Sequence, residues 1–280
     1  MSERHSSNPQ YILGQTSQHD QLMIRQGKLL NAFTRRMLED AGISQGMRVL
    51  DIGCGPGDVS LLAASLVGKE GRVVGVDSSV AAIARAQARA ADAGFSQTSF
   101  QVADIHQLDD EQPFDAIVGR LILQHVPDPV ALLRRLLTRL RTGGVVAFQE
   151  YDLSPQTYAT LPASPLWEQA QEWCRGAFQR FGRELRMGMK LPGTFVAAGL
   201  PVPQLRYEAA IGTGRDWEGY EVLAAAVRAF LPAILRLGVA TAEEIDIETL
   251  ASRLREESVS QGGVTRYIGL VSAWTSTGVQ

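Results

Sequence analysis

Short apolar runs alternate with amphipathic segments between Met47 and Glu150, in the order strand, helix, strand, helix, strand, strand, helix, strand. Runs such as Arg72–Ser78 predict buried strands, and apolar positions three and four residues apart, as in Val80–Ala93, predict helices. Strands that alternate with helices are joined by right-handed crossovers into a parallel sheet. This part of the chain therefore predicts an α/β fold.

The flanking regions are mostly helical in pattern. Before the first strand, apolar residues at helical spacing predict an amphipathic helix over Gln21–Ala41. After a fifth strand at Gly144–Glu150, the chain predicts helices within Pro155–Phe181, at Leu191–Leu200 and over residues 216–261, and a sixth and a seventh strand at Gln204–Ile211 and Gly263–Thr275. We expect four parts: a helical cap at 1–45, a ligand-binding core at 46–152, a helical insertion at 153–203, and a last part at 204–280 that contains a second helical insertion at about 216–261.

The most distinctive segment is V-L-D-I-G-C-G-P-G at Val49–Gly57, where an apolar run is followed by glycines at alternate positions. It predicts a buried strand that turns sharply into a loop, and Asp58–Val67 predicts a helix whose free N–H groups face the same place. Glycine lets a backbone approach a ligand closely. The spacing differs from the G-x-G-x-x-G of dinucleotide folds, and the carboxylate of Asp51 would repel a pyrophosphate. An ammonium group and hydroxyls would suit this carboxylate.

Two further predicted strands also end in an acid. Asp77 closes the run Arg72–Ser78, and Asp104 closes the run Phe100–Ile105. An acid at the tip of the second strand can accept hydrogen bonds from both hydroxyls of a ribose. The alternatives are that Asp77 caps the helix over Val80–Ala93 and that Asp104 forms an Asx turn.

A fourth strand lies in F-D-A-I-V-G-R-L-I-L-Q-H-V-P-D-P, at Phe114–Pro129. It leads into a loop and then into a helix predicted over Val130–Arg141. Asp128 and Pro129 open that helix as an N-cap and as a proline at its first position.

In this order, residues 49–129 resemble the class I S-adenosylmethionine-dependent methyltransferases, in particular the ubiquinone/menaquinone-type and natural-product small-molecule enzymes. The resemblance implies a Rossmann-like sheet of seven strands, mostly parallel with an antiparallel edge strand, helices on both faces, an N-terminal helical cap and helical insertions over the substrate site. It also implies S-adenosyl-L-methionine as the cofactor and S-adenosyl-L-homocysteine as the product. The residues expected at the cofactor are Gln26, Asp51, Gly53, Gly55, Gly57, Asp77, Ser78, Asp104, Ile105 and Arg120.

Within that family the acids have different roles in cofactor binding. The resemblance implies that Asp77, with Ser78 beside it, binds the ribose, and that Asp104 accepts a hydrogen bond from the adenine amino group. The backbone N–H of Ile105 would meet a nitrogen of the adenine ring. The loop after the fourth strand would carry the methionine end of the cofactor toward the substrate.

His125 is the candidate general base, because it follows the fourth strand and histidine titrates near neutral pH. The alternative is that it only holds its loop through a hydrogen bond. Tyr11 and Tyr151 are expected at the substrate, and Tyr151 lies between Glu150 and Asp152, which are also candidates for substrate contact. The alternatives are a surface or packing role for Tyr11 and Gln26 and a turn role for Asp152.

The two insertions are rich in tryptophan, phenylalanine, leucine and methionine, so we expect a mostly apolar pocket for a small molecule. The alternative is that these side chains only pack the insertions onto the sheet. Cys54, inside the glycine loop, is expected to be a small packed residue.

Charge and composition limit the classes of partner that we expect for this chain. The 280-residue chain has a net charge of −3 and a pI near 5.9, and it lacks the [N/D]-P-P-[Y/F] run of enzymes that methylate nucleobase amines, so we expect no nucleic-acid partner. The two cysteines and four histidines show no metal-ligand spacing, so no metal is expected. The start of the chain has no apolar run, and no stretch is apolar enough for a membrane span. We therefore expect a cytoplasmic monomer or homodimer with no membrane partner.

The leading hypothesis is methyl transfer to an O, N or C nucleophile of a small molecule, in the biosynthesis of a metabolite or natural product. A second is a cyclase or other non-methylating catalyst that binds S-adenosylmethionine on the same fold. A third is a nicotinamide-dependent oxidoreductase, which the glycine spacing and Asp51 disfavour.

Overall fold

The computed structural model describes residues 17–105, 112–155 and 160–278. Over these ranges the elements are α1 (Ser17–Asp40), β1 (Arg48–Ile52), α2 (Asp58–Val67), β2 (Arg72–Asp77), α3 (Val80–Asp92), β3 (Thr98–Val102), β4 (Phe114–Arg120), a 3-10 turn (Leu123–His125), α4 (Pro129–Leu137), β5 (Leu140–Asp152), β6 (Thr160–Leu161), α5 (Pro165–Arg180), α6 (Met187–Ala198), β7 (Gln204–Glu208), β8 (Ile211–Thr213), α7 (Gly219–Arg236), α8 (Ala242–Ile245), α9 (Leu250–Ser260), β9 (Val264–Arg266) and β10 (Gly269–Ser276).

Seven strands form the main sheet, in the order β3-β2-β1-β4-β5-β10-β7. Neighbouring strands are parallel except that β10 runs antiparallel to both β5 and β7. This confirms the predicted fold class. The position of the antiparallel strand is refined: β10 is the second strand from the edge of the sheet, and β7 pairs with it as the edge strand.

Successive side chains along each strand point to opposite faces of the sheet, so they contribute to two separate cores. On one face, Val49 of β1 packs with α2 and with Met37 and Leu38 of α1. On the other face, Leu50 and Ile52 pack with α4 and α6. A further core joins α5, α7 and α9 to the first half of α1. The cap helix and the insertions therefore share one apolar layer over the carboxyl ends of the strands.

The fourth helix and the fifth strand differ from their predicted bounds. The helix ends at Leu137, not at Arg141, and the strand begins at Leu140, not at Gly144. The backbone N–H of Phe114 donates to the carbonyl of Arg139 at 2.8 Å, so pairing with β4 draws these residues into the sheet. As predicted, the Asp128 side chain caps α4 by accepting from the N–H of Ala131 at 2.9 Å, and Pro129 begins the helix.

The last two predicted strands are each broken in two. Residues 204–211 separate into β7 and β8, and residues 263–275 separate into β9 and β10. Their detached halves form a small antiparallel sheet of order β6-β9-β8. The N–H of Tyr267, between β9 and β10, donates to the carbonyl of Ala210, between β7 and β8, at 2.8 Å. This bond connects the two points at which the predicted strands are interrupted. The predicted helix at Leu191–Leu200 begins earlier, at Met187. The four-part division of the chain stays a prediction.

Candidate functional site

The carboxyl ends of β1, β2 and β3 lie side by side at one edge of the sheet, and the three predicted acids lie there. Asp51 is in β1, Asp77 ends β2, and Asp104 follows β3 by two residues. The N–H of Ala103 donates to the carbonyl of Asp77 at 3.0 Å, which ties the end of β3 to that of β2. Asp51 is fully buried, Asp77 is half-buried and Asp104 is exposed, so the three acids run from the interior to the surface.

The glycine loop adopts a backbone that other residues rarely accept. Gly53, Gly55 and Gly57 have φ values of +62°, +52° and +89°. A Cβ on Gly53 would lie 2.6 Å from Cδ1 of Ile122, which comes from the loop after β4. Glycine is therefore required here both by the left-handed conformation and by close packing. Cys54 packs in a small core with α3, as expected for a packed residue.

Asp77 holds the glycine loop as well as ending its strand. Its Oδ2 accepts from the N–H of Gly55 at 2.9 Å, and its Oδ1 accepts from the N–H of Ser79 at 2.8 Å. The N-cap of α3 is Ser79, whose hydroxyl accepts from the N–H of Ala82 at 3.2 Å. The alternative that Asp77 caps this helix is therefore wrong, and the carboxylate faces the loop instead.

Asp51 is a buried acid with one oxygen left over. The hydroxyl of Ser60 donates to its Oδ2 at 2.6 Å, while Oδ1 has no hydrogen-bond partner among the described residues. Burial raises the pKa of Asp51 to about 7; the Ser60 hydrogen bond and the positive charge of Arg120 oppose this rise, and the negative charge of Asp77 adds to it. A buried oxygen with no partner is rare in folded proteins, and at a loop of this shape it indicates a place for a ligand's donor.

Arg120 ends β4 beside Asp51 and joins a buried polar network. Its guanidinium donates to Oδ1 of Asn31 at 3.0 Å and to Oγ1 of Thr34 at 2.9 Å, both in α1. The Thr34 hydroxyl lies 2.7 Å from Oε1 of Gln149, whose amide donates to Oγ of Ser272 at 2.7 Å. Since Thr34, Gln149 and Ser272 are fully buried, the network holds α1 to the sheet directly beside the site.

Glu150 lies on the face of the sheet opposite to the Arg120 network. Its carboxylate accepts from the N–H groups of Ile122 at 2.9 Å, Leu123 at 2.6 Å and Gln124 at 3.4 Å. Burial raises the pKa of Glu150 to about 8, and the three amides act in the opposite direction. The expected substrate contact for Glu150 is wrong, because this fully buried side chain is taken up by the loop.

His125 closes the 3-10 turn of that loop. Its ring lies 5.9 Å from the ring of Phe178 in α5, centroid to centroid, and its Nε2 lies 3.5 Å from Nε2 of Gln124. Arg183 donates to the carbonyl oxygen of His125 at 2.8 Å. The histidine is half-buried, so its ring lies between the strand edge and the first insertion.

Tyr151, at the end of β5, lies in the apolar layer under the insertions and is 5% exposed. Its ring meets that of Tyr267 at 6.3 Å in an edge-to-face arrangement. Burial raises the pKa of Tyr267, and hydrogen bonding with Gln26 and Tyr151 opposes that rise. Gln26 of α1 is therefore brought to the same cluster.

The other predicted site residues are spread more widely. Ser78 is exposed, Ile105 is half-buried, and Tyr11 lies outside the described residues. Asp152 accepts from the N–H of Ser154 at 3.1 Å, which supports the turn role given as its alternative.

Most aromatic residues of the insertions pack against each other. Trp167, Trp217 and Tyr220 form a cluster with ring centroids 5.2–6.1 Å apart, and Phe178 meets Phe230 at 5.0 Å. These contacts support the packing role given as the alternative for the aromatic residues.

Sequence reasoning missed Asn31, Thr34 and Tyr267, and it misplaced the role of Glu150. The polar residues of α1 gave one signal, because Asn31 and Thr34 interrupt the apolar side of an amphipathic helix. Tyr267 had no comparable signal, since it lies within a run predicted as one continuous strand.

The sequence profile of the family described as "Methyltransferase domain" matches residues 43–190, which is more than half of the 280-residue chain. The chain belongs to this methyltransferase family. The match confirms the resemblance to class I S-adenosylmethionine-dependent methyltransferases and, with it, S-adenosylmethionine as the cofactor. It also overturns the nicotinamide-dependent alternative.

Curated relatives agree with this assignment over a smaller part of the chain. A ubiquinone biosynthesis O-methyltransferase of Albidiferax ferrireducens is 34% identical over 115 residues, which are 40% of this chain and 44% of the relative. The chain spans about half the length of the curated relatives it matches.

Two solved structures share the fold. Coclaurine N-methyltransferase bound to N-methylheliamine and S-adenosylhomocysteine has a TM-score of 0.51 and 16% identity, over 88% of this chain and 72% of the other. The [4+2]-cyclase SpnF has a TM-score of 0.51 and 18% identity, over 89% of this chain and 82% of the other.

The residues present fit the cofactor. Oδ1 of Asp51 has no hydrogen-bond partner among the described residues, and the positive charge of Arg120 lies near it. The ammonium and the carboxylate of an amino acid require such a pair of opposite charges. The glycine loop leaves backbone, not side chain, at the same edge. Within the described residues, no group of histidine, cysteine and acidic side chains could hold a metal ion, and no helix is both long and apolar enough to cross a membrane.

Proposed function

We propose that this protein transfers the methyl group of S-adenosylmethionine to an O, N or C nucleophile of a small molecule, in the biosynthesis of a metabolite or natural product. The observation that carries the proposal is the buried Asp51, whose Oδ1 lacks a partner in the described chain, next to Arg120 and the glycine loop. A buried acid beside a half-buried guanidinium, both with spare hydrogen-bonding capacity, suits a zwitterionic ligand.

Asp51 and Arg120 would hold the amino-acid end of the cofactor. Oδ1 of Asp51 would accept from the ammonium group. The guanidinium of Arg120 has five N–H donors, so it can keep its bonds to Asn31 and Thr34 and still donate to the carboxylate. The network through Thr34 keeps the guanidinium in place, which lowers the entropy lost when the cofactor binds.

The remaining cofactor residues would bind the nucleoside. Asp77 accepts from the N–H groups of Gly55 and Ser79 and would also accept from the ribose hydroxyls, since a carboxylate has about four acceptor positions. Ser78 would lie beside the ribose, and Asp104 with the N–H of Ile105 would bind the adenine. Gln26, above the site on α1, would complete the enclosure.

The cofactor supplies a methyl group that is already activated on a sulfonium. The protein must align the nucleophile with it and exclude water, which the insertions and α1 would do. For a weakly acidic nucleophile such as a phenol, His125 would accept the proton that leaves as the new bond to the methyl carbon forms. Tyr11 and Tyr151 would contact the substrate from the cap and from the end of β5.

Names of similar proteins support a small-molecule acceptor. The curated relatives are called ubiquinone biosynthesis O-methyltransferases, and the coclaurine N-methyltransferase structure holds a small organic ligand. We propose accordingly that the partners do not include nucleic acid or membrane. A cytoplasmic location and a monomeric or homodimeric state are also proposals.

Turnover with a panel of phenols, catechols and amines tests the proposal. We expect one acceptor to gain one methyl group by mass spectrometry, with one equivalent of S-adenosylhomocysteine formed. A product of unchanged mass without S-adenosylhomocysteine would instead show a cyclase or rearrangement catalyst. Calorimetric titration should give heat with S-adenosylhomocysteine and none with NAD. Lack of binding to S-adenosylhomocysteine would refute the proposed cofactor site.

A further inference from the structure

The loop after β4 contains a backbone arrangement that holds an anion. Leu121 has a φ of +57°, and the next residue, Ile122, is right-handed with φ −110° and ψ −40°. A left-handed residue beside a right-handed one turns successive N–H groups toward one point, which forms a nest for a negative charge. Here the nest is occupied by the chain's own Glu150.

The contact between Glu150 and the nest stabilises an otherwise unfavourable turn. Leu121 is one of two residues other than glycine with positive φ in the described chain, and leucine loses roughly 1–2 kcal/mol in that conformation. When Glu150 is ionised, above its pKa of about 8, three hydrogen bonds to its carboxylate are stronger than bonds to a neutral acceptor and can offset this loss. The N–H of Leu121 also donates to the carbonyl of Gln149 at 2.8 Å, so both ends of the turn are tied to β5.

The same turn reaches both halves of the proposed site. The side chain of Ile122 lies where a Cβ on Gly53 would be, so the turn forms one side of the glycine loop. Three residues further, His125 closes the 3-10 turn and is held from the first insertion by Arg183. Among the described residues only Glu150 bonds to the three amides, so the position of His125 relative to the glycine loop depends on Glu150 as well as on Arg183.

We propose that Glu150 is a positioning residue of the methyltransferase reaction, whose carboxylate fixes the backbone of residues 121–125 and thereby sets the distance between His125 and the methyl donor. The inference rests on the proposed function for its kinetic part only. Glu150 does not touch the substrate; it acts through the amides of Ile122, Leu123 and Gln124.

The substitution Glu150→Gln tests this with little change in shape. The glutamine oxygen can still accept from Ile122 and Leu123, but its NH2 would face the N–H of Gln124, so one bond becomes a clash of donors. At pH 9, where Glu150 is ionised in the wild-type protein, we expect kcat to fall about tenfold or more in the variant, with the Kd for S-adenosylhomocysteine changed less than about threefold. The stronger variant Glu150→Ala should increase hydrogen exchange in residues 121–125, provided that it folds.

Asp115→Asn is the matched control. Asp115 also accepts from a backbone N–H, that of Arg48 at 2.5 Å, but it lies at the opposite edge of the sheet, away from the cofactor loop. Weakening this hydrogen bond can lower the melting temperature, but it should leave kcat unchanged. This separates a general loss of stability from an effect on position.

Nuclear magnetic resonance of the histidine rings gives a result that does not require turnover. The His125 signal, assigned with His125→Asn, should shift in Glu150→Gln and stay in place in Asp115→Asn. If both kcat and the His125 signal are unchanged in Glu150→Gln, the positioning role is refuted. If wild-type protein shows no turnover while the signal shifts as expected, the kinetic proposal fails and the structural link between Glu150 and His125 stands.

Discussion

Replacing Asp51 with asparagine should have opposite effects on stability and on cofactor binding. Asp51 is fully buried, and the only residue that donates hydrogen bonds to its carboxylate in the described chain is Ser60. The charge is therefore unfavourable in the empty protein, while the same charge is the proposed partner of the cofactor ammonium. Asparagine keeps the size and the acceptor for Ser60 but removes the charge.

The magnitude follows from the pKa of Asp51, which burial raises from 3.8 to about 7. At each pH between these values the folded state binds more protons than the unfolded state, so stability falls as the pH rises through this window. A shift of about three units corresponds to about 4 kcal/mol, lost in full above pH 7. The new amide N–H2 would face the place of Oδ1 without a partner, which costs about 1–3 kcal/mol at every pH.

Urea unfolding at pH 4.5 and pH 8, without cofactor, measures the effect directly. We expect the wild-type protein to lose about 3 kcal/mol more than Asp51→Asn over this range, since part of the shift lies below pH 4.5. At pH 8 the variant should be more stable than wild type by roughly 1–3 kcal/mol, because the charge is gone and the unpaired amide remains. Titration with S-adenosylhomocysteine at pH 8 should show weaker binding by about 1.5–3 kcal/mol, the loss of one charge-assisted hydrogen bond.

Ser60→Ala is the control in the opposite direction. Its hydroxyl lowers the pKa of Asp51, so its removal should raise that pKa further and extend the loss of stability to higher pH. If Asp51→Asn and wild type lose the same stability between pH 4.5 and pH 8, the buried carboxylate does not carry the predicted charge penalty. If both bind S-adenosylhomocysteine equally, the ammonium assignment is wrong.

Three more substitutions test separate parts of the site. Asp77→Ala should weaken S-adenosylhomocysteine binding by roughly 1–3 kcal/mol in calorimetry, because it removes the proposed ribose acceptor and the bond to Gly55; an unchanged Kd would contradict the ribose assignment. His125→Ala should lower kcat more than it weakens cofactor binding, and turnover equal to wild type would exclude a general base. Gly53→Ala should destabilise the protein by roughly 1–3 kcal/mol in thermal unfolding, since the φ of +62° and the approach to Ile122 both oppose a methyl group, whereas an unchanged melting temperature would show that the loop can rearrange.

The parts of the site that could be predicted are those within one strand and its following loop. Asp51, Asp77 and Asp104 each follow a short apolar run, and parallel strands place their carboxyl ends at one edge whatever the side-chain packing. The glycine loop was equally predictable, because a left-handed backbone conformation favours glycine at that position whatever the rest of the fold. The cap at Asp128 is local in the same way.

The parts that could not be predicted depend on contacts between distant segments. Glu150 reads as a polar residue at a strand end, and only the structure brings it to amides 26–28 residues earlier in the chain. The bond from Arg120 to Thr34 spans 86 residues. The break of the predicted sixth and seventh strands depends on pairing between β8 and β9, which alternation within either run does not reveal.

The sequence by itself determined the strand–helix alternation, the glycine loop and the acids at the strand tips, because each depends on the period and residue type of a short segment. Only the tertiary structure decided which carboxylate is free for a ligand and which is used by the fold. Asp51 and Glu150 are both buried acids at strand ends, yet Glu150 meets three backbone N–H groups and Asp51 keeps an oxygen without a partner in the described chain. That difference depends on the loop packed against each side chain, and hydrogen-bond satisfaction in a buried site is set by all neighbours together.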